Sequence, residues 1–252
     1  MTRFAILIAA LLNASFFAFQ TSATEREFTV VVQDYETFPP YSSYKNGRYS
    51  GFNRELLDLF AASEGYEFNY LALPVKRLFF EFVNGTGDLK YPDNPQWQQA
   101  IKKGTAIVYS EPVVEYIDGI MVKPGNKGKP VDDVKKIGIV AGWTPWPYLG
   151  RKNDGSVEFL ENSSYDGLLK QTMFGRNDGA YSNIAASQYF LKNVLLKPEA
   201  LVFDDTLPHV RSSRRLSSIN HPELVEQFNA FLVEHASEVQ ALKDQYSVED
   251  GI

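Results

Sequence analysis

A proline-rich segment, YPDNPQW at residues 91–97, is the most distinctive chemical feature of this 252-residue sequence. Lys90 precedes it, Tyr91 begins it and Trp97 ends it. If the preceding residues form a strand, Lys90 and Tyr91 point to opposite faces, because successive side chains of a strand alternate. The two prolines favour a fixed turn. Two interpretations follow: a rigid rim that presents Trp97 or Lys90 to a ligand, or a surface turn whose Trp97 fills the core.

Aromatic side chains follow the first predicted strand. Tyr35, Phe38 and Tyr41 lie in a turn-rich connection that contains Pro39-Pro40 and Asn46-Gly47. Turn residues of this kind place a segment at the surface, where aromatic rings can stack on a ligand. We predict that these three residues contribute to a binding site.

Three more candidates lie at predicted helix starts. Arg77 is near the start of the second predicted helix, where free backbone N–H groups favour an anion; the alternative is a solvated surface charge. Trp143 and Thr144 follow Gly142 at the end of a strand, and Thr144 can offer a hydroxyl and an N–H to a ligand oxygen. Together, Lys90 and Arg77 favour an anionic or polar neutral ligand.

Motifs typical of catalysis and of cofactor binding are missing from the sequence. There is no glycine-rich phosphate loop, no dinucleotide fingerprint and no G-x-S-x-G nucleophile turn. The three histidines, His209, His221 and His235, lack metal-site spacing, and cysteine is absent. We therefore predict no cofactor, no metal site and no enzymatic activity.

The N-terminus and the overall charge indicate an exported protein. A short basic head precedes an apolar run, and small residues end it near Ala23, which is typical of a signal peptide at 1–23. The formal net charge is −6, which argues against nucleic acid as a partner. The basic cluster RSSRR at 211–215 is interpreted as a solvated face. Without a cysteine to carry a lipid anchor, the expected location is a Gram-negative periplasm.

Strands and helices alternate along the sequence in two blocks, which predicts an α/β fold with mostly parallel sheets flanked by helices. The first block has predicted strands at 28–32, 66–73 and 87–91 and helices at 52–65 and 76–85. The second block has predicted strands at 135–142, 156–161, 176–182 and 199–205 and helices at 164–175 and 183–194. A helical segment with an apolar stripe follows His221.

These motifs, in this order, resemble the family 3 periplasmic solute-binding proteins. The matching stretches are FPPY (38–41) and GF (51–52), VNGTGDL (83–89), YSEPV (109–113), FGRNDGAYSN (174–183) and the closing helices that contain FNAFLVEHASEVQALKDQY (228–246). The resemblance implies a type II periplasmic-binding-protein fold with two lobes. Lobe 1 is expected to comprise 24–116 plus 205–252, and lobe 2 to comprise 117–204, with the crossovers acting as a hinge.

Two departures from the family pattern concern the ligand. Amino-acid-binding members carry a T-x-x-R turn whose Arg binds the ligand carboxylate, whereas this sequence has LKYPDNPQW there. Where the family usually has an acidic residue that pairs with the ligand ammonium, this sequence has the neutral Asn183. We therefore expect a ligand that is not a standard α-amino acid.

The resemblance implies a solute-binding protein that closes on a small polar molecule and delivers it to a membrane permease of an ABC transporter. We expect the protein to be a monomer. Two alternatives stay open. The first is a sensory module that signals to a membrane sensor protein, and the second is a dehydratase-like enzyme on the same scaffold.

Overall fold

The computed structural model describes residues 26–250, so the predicted signal peptide lies outside the described residues. Within that range the strands are β1 (Arg26–Gln33), β2 (Ser43–Lys45), β3 (Arg48–Ser50), β4 (Tyr66–Leu73), β5 (Leu89–Asp93), β6 (Val108–Tyr109), β7 (Val114–Val122), β8 (Lys136–Val140), β9 (Glu158–Asn162), β10 (Gly179–Asn183), β11 (Val202–Phe203) and β12 (Val210–Ser218). The helices are α1 (Phe52–Glu64), α2 (Val75–Val83), α3 (Gln99–Lys102), α4 (Leu149–Asn153), α5 (Tyr165–Met173), α6 (Ile184–Tyr189), α7 (Pro222–Glu234) and α8 (Ala236–Tyr246).

The main sheet has two halves with similar parallel arrangements. Its strand order is β4-β1-β5-β12-β7-β10-β8-β9, with β6 paired to β12 and β11 to β7. In the first half β1 is parallel to β4 and β5, and in the second half β8 is parallel to β9 and β10. The predicted α/β architecture is confirmed, with one parallel trio of strands in each half.

Two long antiparallel strands, β7 and β12, join the halves, and we call them the linking strands. β12 pairs with β5 of the first half and with β7, and β7 pairs in turn with β10 of the second half. The register of the linking strands is regular from Val210 opposite Asp118 to Arg214 opposite Val114. The backbone therefore crosses twice between the halves through one continuous ladder.

Helix packing follows the sequence pattern. The apolar face of α1, which includes Leu56, Leu57 and Phe60, is fully buried against the first half of the sheet. The helix ends at Gly65, whose φ of 69° lies in the left-handed region, and its N–H donates to the carbonyl of Ala61. This is the C-terminal stop that a glycine supplies at low conformational cost.

Three sequence interpretations need correction. The strand expected at 199–205 has only two residues, Val202–Phe203, and it is not the last strand, since β12 follows it. The cluster at 211–215 lies within β12 and is not simply a solvated face, because Arg214 is 4% exposed. The helix expected at 183–194 divides into α6 and a wider π-helical turn at Phe190–Val194.

Candidate functional site

A cavity lies between the two halves of the sheet. It contains about 530 Å³ of space free of protein atoms, part of it open to solvent. The lining residues lie near or after the carboxyl ends of strands in both halves, on α2, or on the linking strands: Gln33, Tyr35, Phe38, Val75, Phe79, Trp97, Gln98, Asp118, Gly142, Trp143, Thr144, Tyr181, Asn183 and Arg214. Ligands of open α/β sheets bind at this edge.

Aromatic rings from both halves form much of the cavity wall. Tyr35 and Phe38 of the first half lie with ring centroids 6.4 and 5.8 Å from Trp143 of the second half. The indole N–H of Trp143 donates to the hydroxyl of Tyr35. The indole N–H of Trp97 donates to the hydroxyl of Tyr116 at 3.1 Å. Because both indole N–H groups have protein partners, these rings offer faces and edges to a ligand.

Further contacts hold the two halves together across the cavity mouth. The side-chain amide of Gln98 donates to the carbonyl of Gly142. Gly142 has a φ of 90°, and a Cβ there would lie 2.9 Å from a side-chain carbon of Val75. At the rim, Lys76 and Glu161 form an ion pair of 3.0 Å between exposed side chains. Side chains from α2 and the segment after β5 therefore contact the loop after β8 and the end of β9.

Six of the ten predicted site residues line the cavity, namely Tyr35, Phe38, Trp97, Trp143, Thr144 and Asn183. The Thr144 hydroxyl accepts a hydrogen bond from the backbone N–H of Gln98 at 3.4 Å, so it is partly engaged within the protein. Asn183 caps α6, since its Oδ1 accepts from the N–H of Ala186 at 3.0 Å.

The other four predicted residues do not line the cavity. Tyr41 is fully buried behind the wall, where its hydroxyl donates to the carbonyl of Val248 at 2.9 Å. Arg77 is exposed on α2 and pairs with Glu81 one turn later. Lys90 and Tyr91 are both fully buried in the interior of the first half.

The YPDNPQW segment has one residue at the cavity wall and another buried in the interior. Trp97 reaches the cavity wall, whereas Asp93 is fully buried and binds two lysines. Its carboxylate lies 2.6 Å from the Lys102 ammonium and 3.3 Å from that of Lys90, and it accepts from the Ser217 hydroxyl at 2.7 Å. Burial lowers the pKa of Lys90 to about 8. This buried ionic cluster fixes the segment that carries Trp97.

The sequence interpretation missed the two charged side chains of the wall, Asp118 on β7 and Arg214 on β12. Burial raises the pKa of Asp118 to about 6, against the opposing effects of the Arg214 charge and a hydrogen bond from Asn183. The pairing of two antiparallel strands more than 90 residues apart brings these groups to one cavity. Local sequence patterns carry no signal for such a pairing.

Across residues 26–250, no group of three His, Asp or Glu side chains is arranged to hold a metal ion. Among the helices in that range, none has the length and apolar character needed to cross a bilayer.

Comparisons based on sequence identify no relative. No protein-family model matches the chain, and no curated protein matches it.

Solved structures share the fold at low sequence identity. A histidine kinase sensor domain with similarity to periplasmic binding proteins has a TM-score of 0.71 and 17% identity, covering 88% of this chain and 96% of that one. The substrate-binding protein of an amino acid ABC transporter has a TM-score of 0.67 and 16% identity, over 87% of this chain and 98% of that one. An ancestral amino acid-binding protein, described as a precursor of cyclohexadienyl dehydratase, has a TM-score of 0.67 and 19% identity, over 87% and 95%. The chain thus has the two-lobe fold of the periplasmic binding proteins.

Proposed function

We propose that this chain is a periplasmic solute-binding protein that closes two lobes around a small polar molecule. The observation that carries the proposal is the cavity between the two halves of the sheet, whose walls come from both halves and from the strands that link them. In this proposal lobe 1 comprises 24–116 plus 205–252 and lobe 2 comprises 117–204. The linking strands then act as the hinge, and closure is a rigid-body motion of one lobe against the other.

The closed arrangement depends on contacts that an open one would lose. The Tyr35–Trp143 and Gln98–Gly142 hydrogen bonds and the Lys76–Glu161 ion pair all cross the cavity mouth. A ligand can favour closure only through contacts that it makes better in the closed state. Aromatic groups on both sides of the cavity are placed to make such contacts.

The ligand in this proposal is not a standard α-amino acid. At the turn where the family resemblance places a carboxylate-binding Arg, the chain has Asp93 held in a buried cluster with two lysines. At the position of the ammonium-binding acid it has Asn183, whose amide caps a helix. A charged ligand group placed against either position would lack its usual partner, which is costly in a buried site.

Delivery to the permease of an ABC transporter is the proposed role, and signalling to a membrane sensor protein is the second candidate. The first is supported by the likeness to an ABC transporter substrate-binding protein and the second by the likeness to a histidine kinase sensor domain. We further propose that the protein is monomeric, non-enzymatic and free of cofactors. The likeness to a precursor of cyclohexadienyl dehydratase makes a dehydratase assay a necessary control.

A thermal-shift screen tests the proposal directly. The protein, expressed as the full chain and purified from the periplasm, is screened against amino acids, dipeptides, polyamines, organic acids, aromatic acids and sugars. A ligand at about 100 times its Kd adds about 2.7 kcal/mol, which raises the melting temperature by about 5–11 °C for a domain of this size. Small-angle X-ray scattering then shows whether the ligand compacts the protein. If no compound of the panel raises the melting temperature, or if a ligand binds without compacting the protein, the proposal is contradicted.

Uptake of the labelled ligand by cells that lack this chain separates the two roles. Loss of uptake supports transport, and unchanged uptake with a lost transcriptional response supports sensing.

A further inference from the structure

Two opposite charges face the cavity from the linking strands. Asp118 on β7 lies directly opposite Val210 on β12, and Arg214 is four residues further along β12. Side chains an even number of residues apart share a face of a strand, so both charges lie on the cavity side. Four residues of strand separate the two backbone positions by about 13 Å. No ion pair joins the two side chains in the described part of the chain, although both line the cavity.

Arg214 is a buried cation without a carboxylate partner among the described residues. It is 4% exposed, and its Nε has no hydrogen-bond partner there. Its guanidinium carbon lies 3.8 Å from the ring centroid of Tyr41 and 5.7 and 5.6 Å from those of Phe38 and Tyr116. These rings orient the planar group but accept few of its five N–H bonds. The side chain is therefore held ready for a planar anion, which guanidinium groups bind through paired hydrogen bonds.

Asp118 is the matching acceptor on the same cavity wall, near enough for the positive charge of Arg214 to oppose the rise in its pKa. Asn183 lies opposite it on β10 and donates its Nδ2 to the carboxylate at 3.2 Å. The Asn183 amide is fixed in this orientation, because its Oδ1 accepts from the backbone N–H of Ala186 at 3.0 Å. Burial holds the Asp118 carboxyl at a pKa of about 6. A protonated ligand nitrogen would supply the positive partner that favours its ionised form.

Aromatic side chains occupy the wall around these charges. Phe38, Trp97 and Trp143 present rings, and the indole N–H groups of both tryptophans are engaged by tyrosine hydroxyls. The body of a ligand that reaches from Arg214 to Asp118 must therefore be flat or apolar. Because the backbone positions of Asp118 and Arg214 lie about 13 Å apart, a ligand with well separated charges matches both side chains. In an α-amino acid both charged groups are attached to the same carbon.

We propose that Arg214 and Asp118 are the charged contacts of the ligand, and that the ligand is a small zwitterion whose anionic group and protonated nitrogen are separated by a flat or apolar spacer. This inference rests on the proposed function, since it takes the cavity to be the ligand site. It assigns charge recognition to the linking strands, with Asp118 in proposed lobe 2 and Arg214 in proposed lobe 1.

Calorimetric titration of the full wild-type chain with a graded series tests the spacing. The series contains glycine, β-alanine, γ-aminobutyrate, ε-aminohexanoate and para-(aminomethyl)benzoate, with the amine-free acid and the methyl ester of each tight binder. The tightest binding is expected for a zwitterion longer than glycine, and removal of either charge should weaken it about 10- to 100-fold, the range for a charge-assisted hydrogen bond. Tightest binding by glycine or by an uncharged analogue, or no binding by any member, overturns the inference.

Charge-removing variants test the residues. In R214Q the zwitterion is expected to bind about 10- to 100-fold more weakly. In D118N the zwitterion and its amine-free acid should bind equally, because the ligand nitrogen has lost its partner. Matched controls are available on the opposite face of the same strands, where Arg211 and Glu115 form an exposed ion pair of 3.3 Å. R211Q and E115Q should leave affinity within about twofold of wild type, since exposed pairs contribute little.

The outcomes separate this inference from the proposed function. If a ligand binds and compacts the protein but R214Q and D118N bind it like wild type, the cavity remains a ligand site and the charge assignment is wrong. If no compound of the broad panel binds wild type, both proposals fail. If circular dichroism shows that R214Q is unfolded, the titration of wild type with the ligand series and the titration of D118N still test the charge assignment.

Discussion

Replacement of Asp93 by asparagine is the sharpest test of what holds the YPDNPQW segment in place. Asp93 has no exposed surface and is the carboxylate partner of both Lys90 and Lys102 in the described structure. Asparagine has nearly the same shape and keeps an oxygen for the hydroxyl of Ser217. The substitution therefore removes one negative charge and leaves two ammonium groups buried next to each other.

The expected loss of stability is large. Removing one partner of a buried ion pair costs about 3–5 kcal/mol, because the remaining charge stays desolvated without compensation. For a chain of this size each kcal/mol lowers the melting temperature by about 2–4 °C, so Asp93→Asn should melt about 6–20 °C below wild type. The aromatic rings near the lysines reduce this loss only partly: Phe79 lies 4.2 Å from the ammonium of Lys90 and 5.0 Å from that of Lys102.

Urea denaturation and thermal melting at neutral pH measure the effect. Asp205→Asn is the control, because Asp205 pairs with Lys127 at 3.2 Å on the surface, where removal of the pair should cost less than about 1 kcal/mol. A loss below about 1 kcal/mol in Asp93→Asn, similar to that of the control, would refute the assignment of the cluster as a structural lock.

Three further predictions concern protonation, packing and closure. Since burial lowers the pKa of Lys90 to about 8, below its unfolded value, the folded state loses this proton first, and this group should raise stability by about 1.4 kcal/mol between pH 7 and pH 9. Lys90→Met should reduce the rise seen in urea denaturation, and what remains is assigned to Lys102, whose pKa burial also lowers. Gly179→Ala should destabilise by about 1–3 kcal/mol, because the new methyl group would lie 2.3 Å from a β7 side chain, whereas Gly125→Ala, which meets no atom within 4 Å, should be nearly neutral in the same assay. Lys76→Ala removes the ion pair with Glu161 and should shift the protein towards an open form by about 0.2–1 kcal/mol, seen as a larger radius of gyration in scattering at low salt and as no difference in about 1 M salt.

The sequence predicted the parallel strands and their helices well, because their signals are local. The strand at 66–73 matches β4 at both ends, and the helix at 52–65 matches α1 with its terminal glycine. The linking strands were missed for a physical reason. β12 reads VRSSRRLSS, a polar sequence that resembles a surface segment, yet it is the central strand of the sheet. Its polar side chains are buried because they bond to groups far away in sequence, as Ser217 does to Asp93.

The site residues divide in the same way, into those that local sequence predicts and those that depend on long-range contacts. Residues that follow the ends of parallel strands, such as Tyr35 and Trp143, were predicted and do line the cavity. Lys90 was predicted as a ligand contact, and its burial was not foreseen, since it depends on the carboxylate of Asp93 and on the carbonyl of Pro92, which accepts from the Lys90 ammonium at 2.6 Å. Asp118 on β7 and Arg214 on β12 come together only through the pairing of strands that are far apart in sequence, so no local sequence pattern predicts them.

Placement of the ligand charges on the linking strands has a consequence for how binding would drive closure. Asp118 falls in proposed lobe 2 and Arg214 in proposed lobe 1, but both lie on the hinge strands, where a rotation of the lobes displaces atoms least, so their contacts with a ligand change little between the open and the closed state. Such a contact increases affinity without biasing the equilibrium, because a ligand shifts two states only by its difference in affinity for them. Closure must then come from the rings that meet across the mouth, Tyr35 and Phe38 on one side and Trp143 on the other. In this arrangement Arg214 and Asp118 determine which ligand binds, and the aromatic rings at the mouth stabilise the closed form once the ligand is bound.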